Sequence, residues 1–220
     1  MRRFCYIISF TLVAALAWGQ KKAFFMGGRF GLGESGIECT GIQNGKGKLA
    51  VSGGIATSYF FTKNVALNAD FLITSGGTRA QGTTTEKGLL GTDVNYAYKE
   101  KYDIVTAEVP LTAQIAFWFG NMFIRGYTGP AMNCKLMAVQ TRTYDDADYN
   151  NTHGFINKQL DQTNNVFYSM IYGFGIGARA ANSKLFFLDL RSSQALTSLG
   201  KINNVTALNN YYCISAGYEF

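Results

Sequence analysis

Along most of this chain, apolar and polar residues trade places at every second position. The last ten residues, YYCISAGYEF, show the pattern. Tyr212, Ile214, Ala216, Tyr218 and Phe220 share one parity; Tyr211, Cys213, Ser215, Gly217 and Glu219 share the other. A period of two sends successive side chains to opposite faces of a β-strand, so one face is greasy and the other wet. The same rhythm predicts eight strands, at about 23–33, 48–61, 64–75, 101–118, 121–137, 165–179, 184–194 and 206–220. Phe24, Met26, Phe30 and Leu32 oppose Gly27, Arg29, Gly31 and Gly33. Val65, Leu67, Phe71 and Ile73 oppose Asn68 and Asp70. Leu111, Ile115, Phe117 and Phe119 oppose Glu108, Thr112 and Gln114, and Phe186, Leu188 and Leu190 oppose Asp189 and Arg191. The second strand, rich in glycine and serine, and the fifth are the least regular.

The connections alternate in length. Short turns fall near FTKN, FGN and RAANSK, and long polar loops are expected at roughly 34–47, 76–100, 138–164 and 195–205. All long connections therefore emerge on one edge of the sheet, the asymmetry of outer-membrane barrels with short periplasmic turns and longer external loops. The sorting of charge points the same way. One face of most strands is almost free of charge, and its many Phe, Tyr, Leu and Ile side chains would overfill an eight-strand cylinder. Glycines repeat on the other face, as in GFGIGAR, where interior space is tight. Phe24, Phe61, Phe119, Phe186, Tyr218 and Phe220 gather near the short turns, as an interfacial aromatic girdle would. The expected fold is all-β: an eight-stranded antiparallel up-and-down transmembrane β-barrel whose charge-free face meets lipid.

Residues 1–20 read as a cleavable signal peptide, with Arg2 and Arg3 ahead of an apolar run from Phe4 to Trp18. Residues 21–220 then form one barrel domain. The formal charge of +6 falls to +4 without Arg2 and Arg3, and no basic run stands out, which argues against nucleic acid as a partner. Cys39, Cys134 and Cys213 are an odd, widely spaced set, neither a disulfide framework nor a metal motif.

The charges assigned to the interior are Arg29, Arg125, Arg179 and Arg191 against Asp70, Glu108, Asp189 and Glu219. Buried charges cost several kcal/mol each unless paired, so this balanced set predicts a salt-bridge network filling the lumen. Catalytic and metal candidates are weaker. His153, the single histidine, stands in a loop without an evident base partner. Asp145, Asp146 and Asp148 lack the glycine and terminal glutamate of a calcium loop. GRFGLG sits in an alternating strand with no following helix, which argues against a nucleotide. No cofactor and no metal is expected.

The stretch AEVPLTAQIAFWFGNMFIRGYTGPAMNCKL resembles the PorT-like outer-membrane β-barrel family of Bacteroidota, through Glu108, Val109, Pro110, Leu111, Gly129 and Pro130. ALNADFLITSGG is similar to that family's third strand, with Asp70 where a glutamate is more usual, and LDLRSSQALTSLG also fits. The resemblance covers essentially the whole chain after the leader. It implies an outer-membrane barrel, one of whose relatives serves a secretion and gliding apparatus. The aromatic ending, Tyr218 and Phe220, resembles the signal read by the barrel-assembly machinery. The functional expectation is a non-enzymatic barrel with a side-chain-filled lumen, serving structure, adhesion or assembly and secretion machinery. Its partners would be outer-membrane lipid, the assembly machinery and secretion or surface proteins met by the loops. A small pore and a lipid-modifying barrel enzyme are the alternatives.

Overall fold

Each stretch of period-two alternation forms a strand, and each strand pairs antiparallel with the next. The structure, a computed structural model, describes residues 23–38, 45–87, 92–160, 163–180, 184–202 and 205–220. The expected leader and Cys39 lie outside these described residues. The elements are β1 (Ala23–Glu38), β2 (Lys46–Phe60), β3 (Val65–Ala69), β4 (Phe71–Lys87), β5 (Asp93–Phe119), β6 (Met122–Tyr144), α1 (Ala147–His153), β7 (Phe155–Gln159), β8 (Val166–Arg179), β9 (Leu185–Ala195), β10 (Gly200–Ile202) and β11 (Val205–Glu219). The ring runs β1, β2, β3 with β4, β5, β6, β8, β9 and β11. It closes where β11 pairs with β1, from Gly27 opposite Glu219 to Glu38 opposite Leu208. Phe220 extends that seam, exchanging backbone hydrogen bonds of 3.2 and 2.9 Å with Met26. The barrel therefore has eight staves and no free edge, which is how a sheet satisfies its backbone in hydrocarbon.

One stave is broken, and proline explains the break. Asp70 separates β3 from β4 and donates its backbone N–H to the Pro110 carbonyl at 3.3 Å. Pro110 has no N–H to return, so the ladder loses a rung at Asp70. On the other side the β2 ladder also skips Asp70, and there its carboxylate accepts from the backbone N–H of Thr57 at 3.3 Å. Sequence parity alone runs straight through this point.

The two faces separate as the alternation requires. Outside stand Phe24, Phe30, Leu111, Phe117, Phe174, Leu190 and Ile214, all exposed. Contiguous exposed apolar surface on this scale marks a membrane-facing wall. The apolar belt is uneven in height. On β5 it runs without charge from Val105 to Phe119, whereas on β1 it ends at Leu32 before Glu34, and on β9 at Leu190 before Ser192 and Gln194.

The expected loops at 76–100 and 138–164 are largely ordered structure instead. The β4–β5 ladder continues from Thr78 opposite Tyr102 to Lys87 opposite Asp93. The β5–β6 ladder continues to Tyr98 opposite Tyr144, and α1 and β7 pack beside it. A β-ridge thus stands well beyond the apolar belt. Thr83, Thr84, Thr85, Tyr96 and Tyr98 favour strand, but both faces here are wet, so no apolar alternation announces it.

Candidate functional site

The inward face of the barrel carries three stacked layers. The middle layer is ionic. Asp189 on β9 receives Arg125 Nε at 2.9 Å and Nη2 at 2.6 Å, a two-pronged pair. Arg29 joins from β1, with Nη1 2.6 Å from Asp70 Oδ2 and Nη2 3.4 Å from Asp189. Arg191 places Nη2 2.5 Å from Glu108 Oε1 and Nη1 3.9 Å from Asp70. Tyr211 donates to the second Glu108 oxygen at 2.5 Å, and Tyr127 donates to Asp189 at 3.3 Å. Three guanidinium groups and three carboxylates thus neutralise one another. Each of these six side chains is at least nine-tenths buried.

Apolar layers close the lumen on both sides. Toward the short turns, Phe25, Phe60, Ala66, Ala116, Phe123, Leu185 and Phe187 pack together. Toward the ridge, Ile37, Tyr102, Ile104, Ala138, Phe167, Leu199 and Ala207 do the same. Leu199 belongs to the segment after β9, which folds back so that Leu199 N–H meets the Ala207 carbonyl at 2.9 Å. Beyond this second layer lies another ionic node. Glu100 accepts from Tyr102 Oη at 2.6 Å, Gln140 Nε2 at 3.0 Å and Arg142 Nε at 2.6 Å.

Two glycines make the packing possible. A Cβ at Gly173 would fall on the Tyr127 ring, and one at Gly217 on the Phe187 ring. The freed space lets Phe187 lie 3.7 Å from the Arg125 guanidinium, and Tyr127 5.5 Å from Arg29 and Arg125. Rings stacked on the cations add a cation–π attraction to the ion pairs.

Of the eight charges assigned to the interior, Arg29, Asp70, Glu108, Arg125, Asp189 and Arg191 meet in one network. Glu219 faces inward and is buried, but its partner is Ser58 Oγ at 3.0 Å rather than an arginine. Arg179 does not join. It ends β8 at the short-turn rim, where its guanidinium lies 4.4 Å from the Trp118 ring and stays exposed. It shares the parity of Gly175 and Gly177, but at the end of the strand that position is open to solvent. The roles of Tyr127, Tyr211, Gln114 and the Glu100 node were missed. Tyr127, Tyr211 and Gln114, which accepts from Arg125 Nη1 at 3.2 Å, share the inward parity but carry no formal charge, and Glu100 and Arg142 lie in stretches whose pattern reads as loop.

The ridge absorbs the catalytic and metal candidates into structure. Asp146 caps α1, accepting from Tyr149 N–H at 2.8 Å, and Asp145 pairs with Lys99 at 2.8 Å. His153 stacks on Tyr149 at 4.1 Å, and Tyr149 stacks on Tyr96 at 3.8 Å. Tyr149 Oη donates to Glu86 at 2.5 Å, and that carboxylate, aided by slight burial, pushes the phenol up to about 12. Gly28–Gly33 of GRFGLG are β1 strand.

An inward ionic core, an outward apolar wall and a ring without edges are the physical requirements of a membrane barrel. A family model described as the outer membrane protein beta-barrel domain matches residues 16–200. The chain belongs to that family. Its place is the outer membrane. Solved barrels similar to this outer-membrane protein include Neisserial surface protein A, at 10% identity and TM-score 0.45, covering 91% of this chain and 100% of that one. OprG of Pseudomonas aeruginosa is 16% identical with TM-score 0.40, covering 90% and 95%. Ail, the attachment invasion locus protein of Yersinia pestis, is 14% identical with TM-score 0.37, covering 90% and 99%, in a complex with the heparin analogue sucrose octasulfate. Among curated proteins, none matches the sequence.

Proposed function

We propose that this chain is a non-enzymatic, non-conducting barrel that holds a β-ridge at the cell surface for recognition of other proteins, as in adhesion or secretion. The observation that carries the reading is the closed lumen: an ionic layer between two apolar layers, with a paired strand extension built above it. Eight strands leave an interior that side chains fill. Each carboxylate of the middle layer is held by arginine, which leaves these charges engaged in structure.

Within the family, the PorT-like branch is the reading that the Glu108-Val109-Pro110-Leu111 and Gly129-Pro130 motifs support. Three of these motif residues have a structural use. Glu108 holds Arg191, Pro110 opens the stave at Asp70, and Gly129 passes too close to the Leu111 carbonyl for a Cβ. Partners under this proposal are outer-membrane lipid, the barrel-assembly machinery and surface or secretion proteins docking on the ridge. Joining Ala80 to Glu100 by a short turn removes the ridge tip and tests the idea. The folded barrel should persist in the membrane while adhesion or secretion is lost. Unchanged phenotype with the tip removed would overturn the reading, and steady single-channel conductance of the intact protein would favour a pore.

A further inference from the structure

Just beyond the apolar belt, the outer wall carries cations set directly across neighbouring strands. Lys46 on β2 lies opposite Arg79 on β4, Arg79 opposite Lys101 on β5, and Lys101 opposite Thr141 on β6. Like charges facing each other across a ladder are destabilising. A bulge in β2 between Gly47 and Val51 adds to the crowding. It re-aims Lys48 so that its amine meets Asp103, the carboxylate that also holds Lys101 Nζ at 2.9 Å. Partial burial first, and then the nearby Lys101 and Arg79, push the Lys48 amine below its ordinary value.

Local acids do not balance the row. Asp103 is shared by two lysines, and Glu34 lies over Gly47. Lys99, one step further out, is occupied by Asp145. Among the described residues, Lys46 and Arg79 have no ion-pair partner. Lys46, Arg79, Lys101, Gln81 and Thr141 line a depression of ≈ 780 Å³ that also meets Glu100, a carboxylate already taken by Arg142. Directly below Lys101 on the same face of β5 comes Asp103, held by Lys48 and Lys101, and then an uncharged strip of Val105, Ala107, Val109 and Leu111.

We propose that this basic row binds the phosphorylated headgroups of outer-leaflet lipid, with the acyl chains lying on the strip of β5 below. Arg79 offers a planar fork for two phosphate oxygens, and Lys46 and Lys101 flank it as point charges. The continuity of row and strip selects an amphiphile over a soluble anion. A free phosphate would answer the charges and leave the wall beneath unused. The site rests only on the outer-membrane location, so it stands or falls independently of what the ridge recognises.

The test uses the full-length protein in neutral detergent, titrated with bisphosphorylated lipid A and followed by native mass spectrometry. The same lipid stripped of its phosphates and inorganic phosphate serve as the comparison probes. Wild type should retain the bisphosphorylated lipid at least about tenfold better than the stripped one, the equivalent of one charge-assisted contact or more. Arg79→Gln with Lys101→Gln should abolish that preference, whereas Lys184→Gln at the opposite rim should not. Lys46→Gln alone should weaken retention and, in lipid-free detergent, leave melting unchanged or raised, since it relieves repulsion. Equal retention of both lipids, or full retention by the double variant, would overturn the proposal. So would inorganic phosphate competing as strongly as the lipid, which would assign the row to a soluble anion.

Discussion

Arg125 and Asp189 meet through two parallel contacts, 2.9 and 2.6 Å long, at the centre of a lumen that neither side chain can leave. Asp189 is also the point where Arg29 and Tyr127 converge. Removing this one carboxylate strands the Arg125 guanidinium and takes a second contact from Arg29, which keeps Asp70. Asp189→Ala should therefore lower the stability of the folded barrel by about 3–5 kcal/mol, the range for breaking a buried pair. Urea titration in lipid vesicles reads the loss. Thr112→Ala, which removes a single 3.3 Å contact with Asn68, should shift the midpoint little. Equal shifts for the two variants would contradict the network.

Glu108→Ala should be nearly as damaging, because it frees Arg191 and the Tyr211 hydroxyl together. The apolar layers above and below remain in place in this variant. Planar-bilayer recordings should accordingly show no steady conductance in wild type and none in the variant while it stays folded. An open channel in wild type would contradict the sealed lumen.

The legibility of this lumen from sequence was uneven. Arg29, Asp70, Glu108, Arg125, Asp189 and Arg191 declare themselves because charge on an otherwise apolar strand has only one place to go. The apolar lids were not declared. Phe123 and Phe187 are as greasy as the lipid-facing Ile124 and Phe186 beside them, so hydrophobicity cannot tell lumen from lipid where both neighbours are apolar. The break at Asp70 was equally hidden, since it depends on Pro110 arriving from another stave. The ridge reads as loop in the sequence because neither face of 76–87 is consistently apolar.

Placement of the ridge outside the cell predicts a labelling pattern. Thr85→Cys should react with a membrane-impermeant maleimide on intact cells, above the level of the parent protein. Asn121→Cys, at the short turn after β5, should react only once the outer membrane is breached. Cys213 is buried and should stay silent in both. Labelling at Asn121 on intact cells would invert the topology.

Tyr149 fastens α1 to the ridge by donating to Glu86 and stacking between Tyr96 and His153. Its phenol is raised to about 12, so the neutral donor is favoured in the fold. The contact is fully present below the ordinary phenol value near 10 and is lost as pH rises through about 12. A phenolate difference spectrum of wild type minus Tyr149→Phe should show one late-titrating tyrosine. Glu86→Gln should bring that titration to lower pH; an unchanged midpoint would remove Glu86 as the cause.

The seam between β1 and β11 depends on the last residues, where Phe220 bonds Met26 and Tyr218 packs 4.7 Å from Phe186. Deleting Tyr218 to Phe220 should reduce insertion into the membrane far more than it lowers the urea midpoint of barrels that do assemble. Membrane fractionation against total expression measures this. Wild-type insertion of the truncated chain would rule out a role for these residues in assembly.

The uneven apolar belt fixes how the barrel sits. With about 3.4 Å per residue and strands inclined near 40°, each residue adds roughly 2.5 Å of height. The run from Val105 to Phe119 on β5 then stands roughly 15 Å taller than the run from Phe24 to Leu32 on β1. A slab of hydrocarbon of uniform thickness cannot match both walls, and the mismatch is relieved by leaning the cylinder or thinning the leaflet beside β9, β11 and β1. The ridge rises from the tall wall, so a leaning barrel carries it at a slant, over one patch of neighbouring surface and away from the rest.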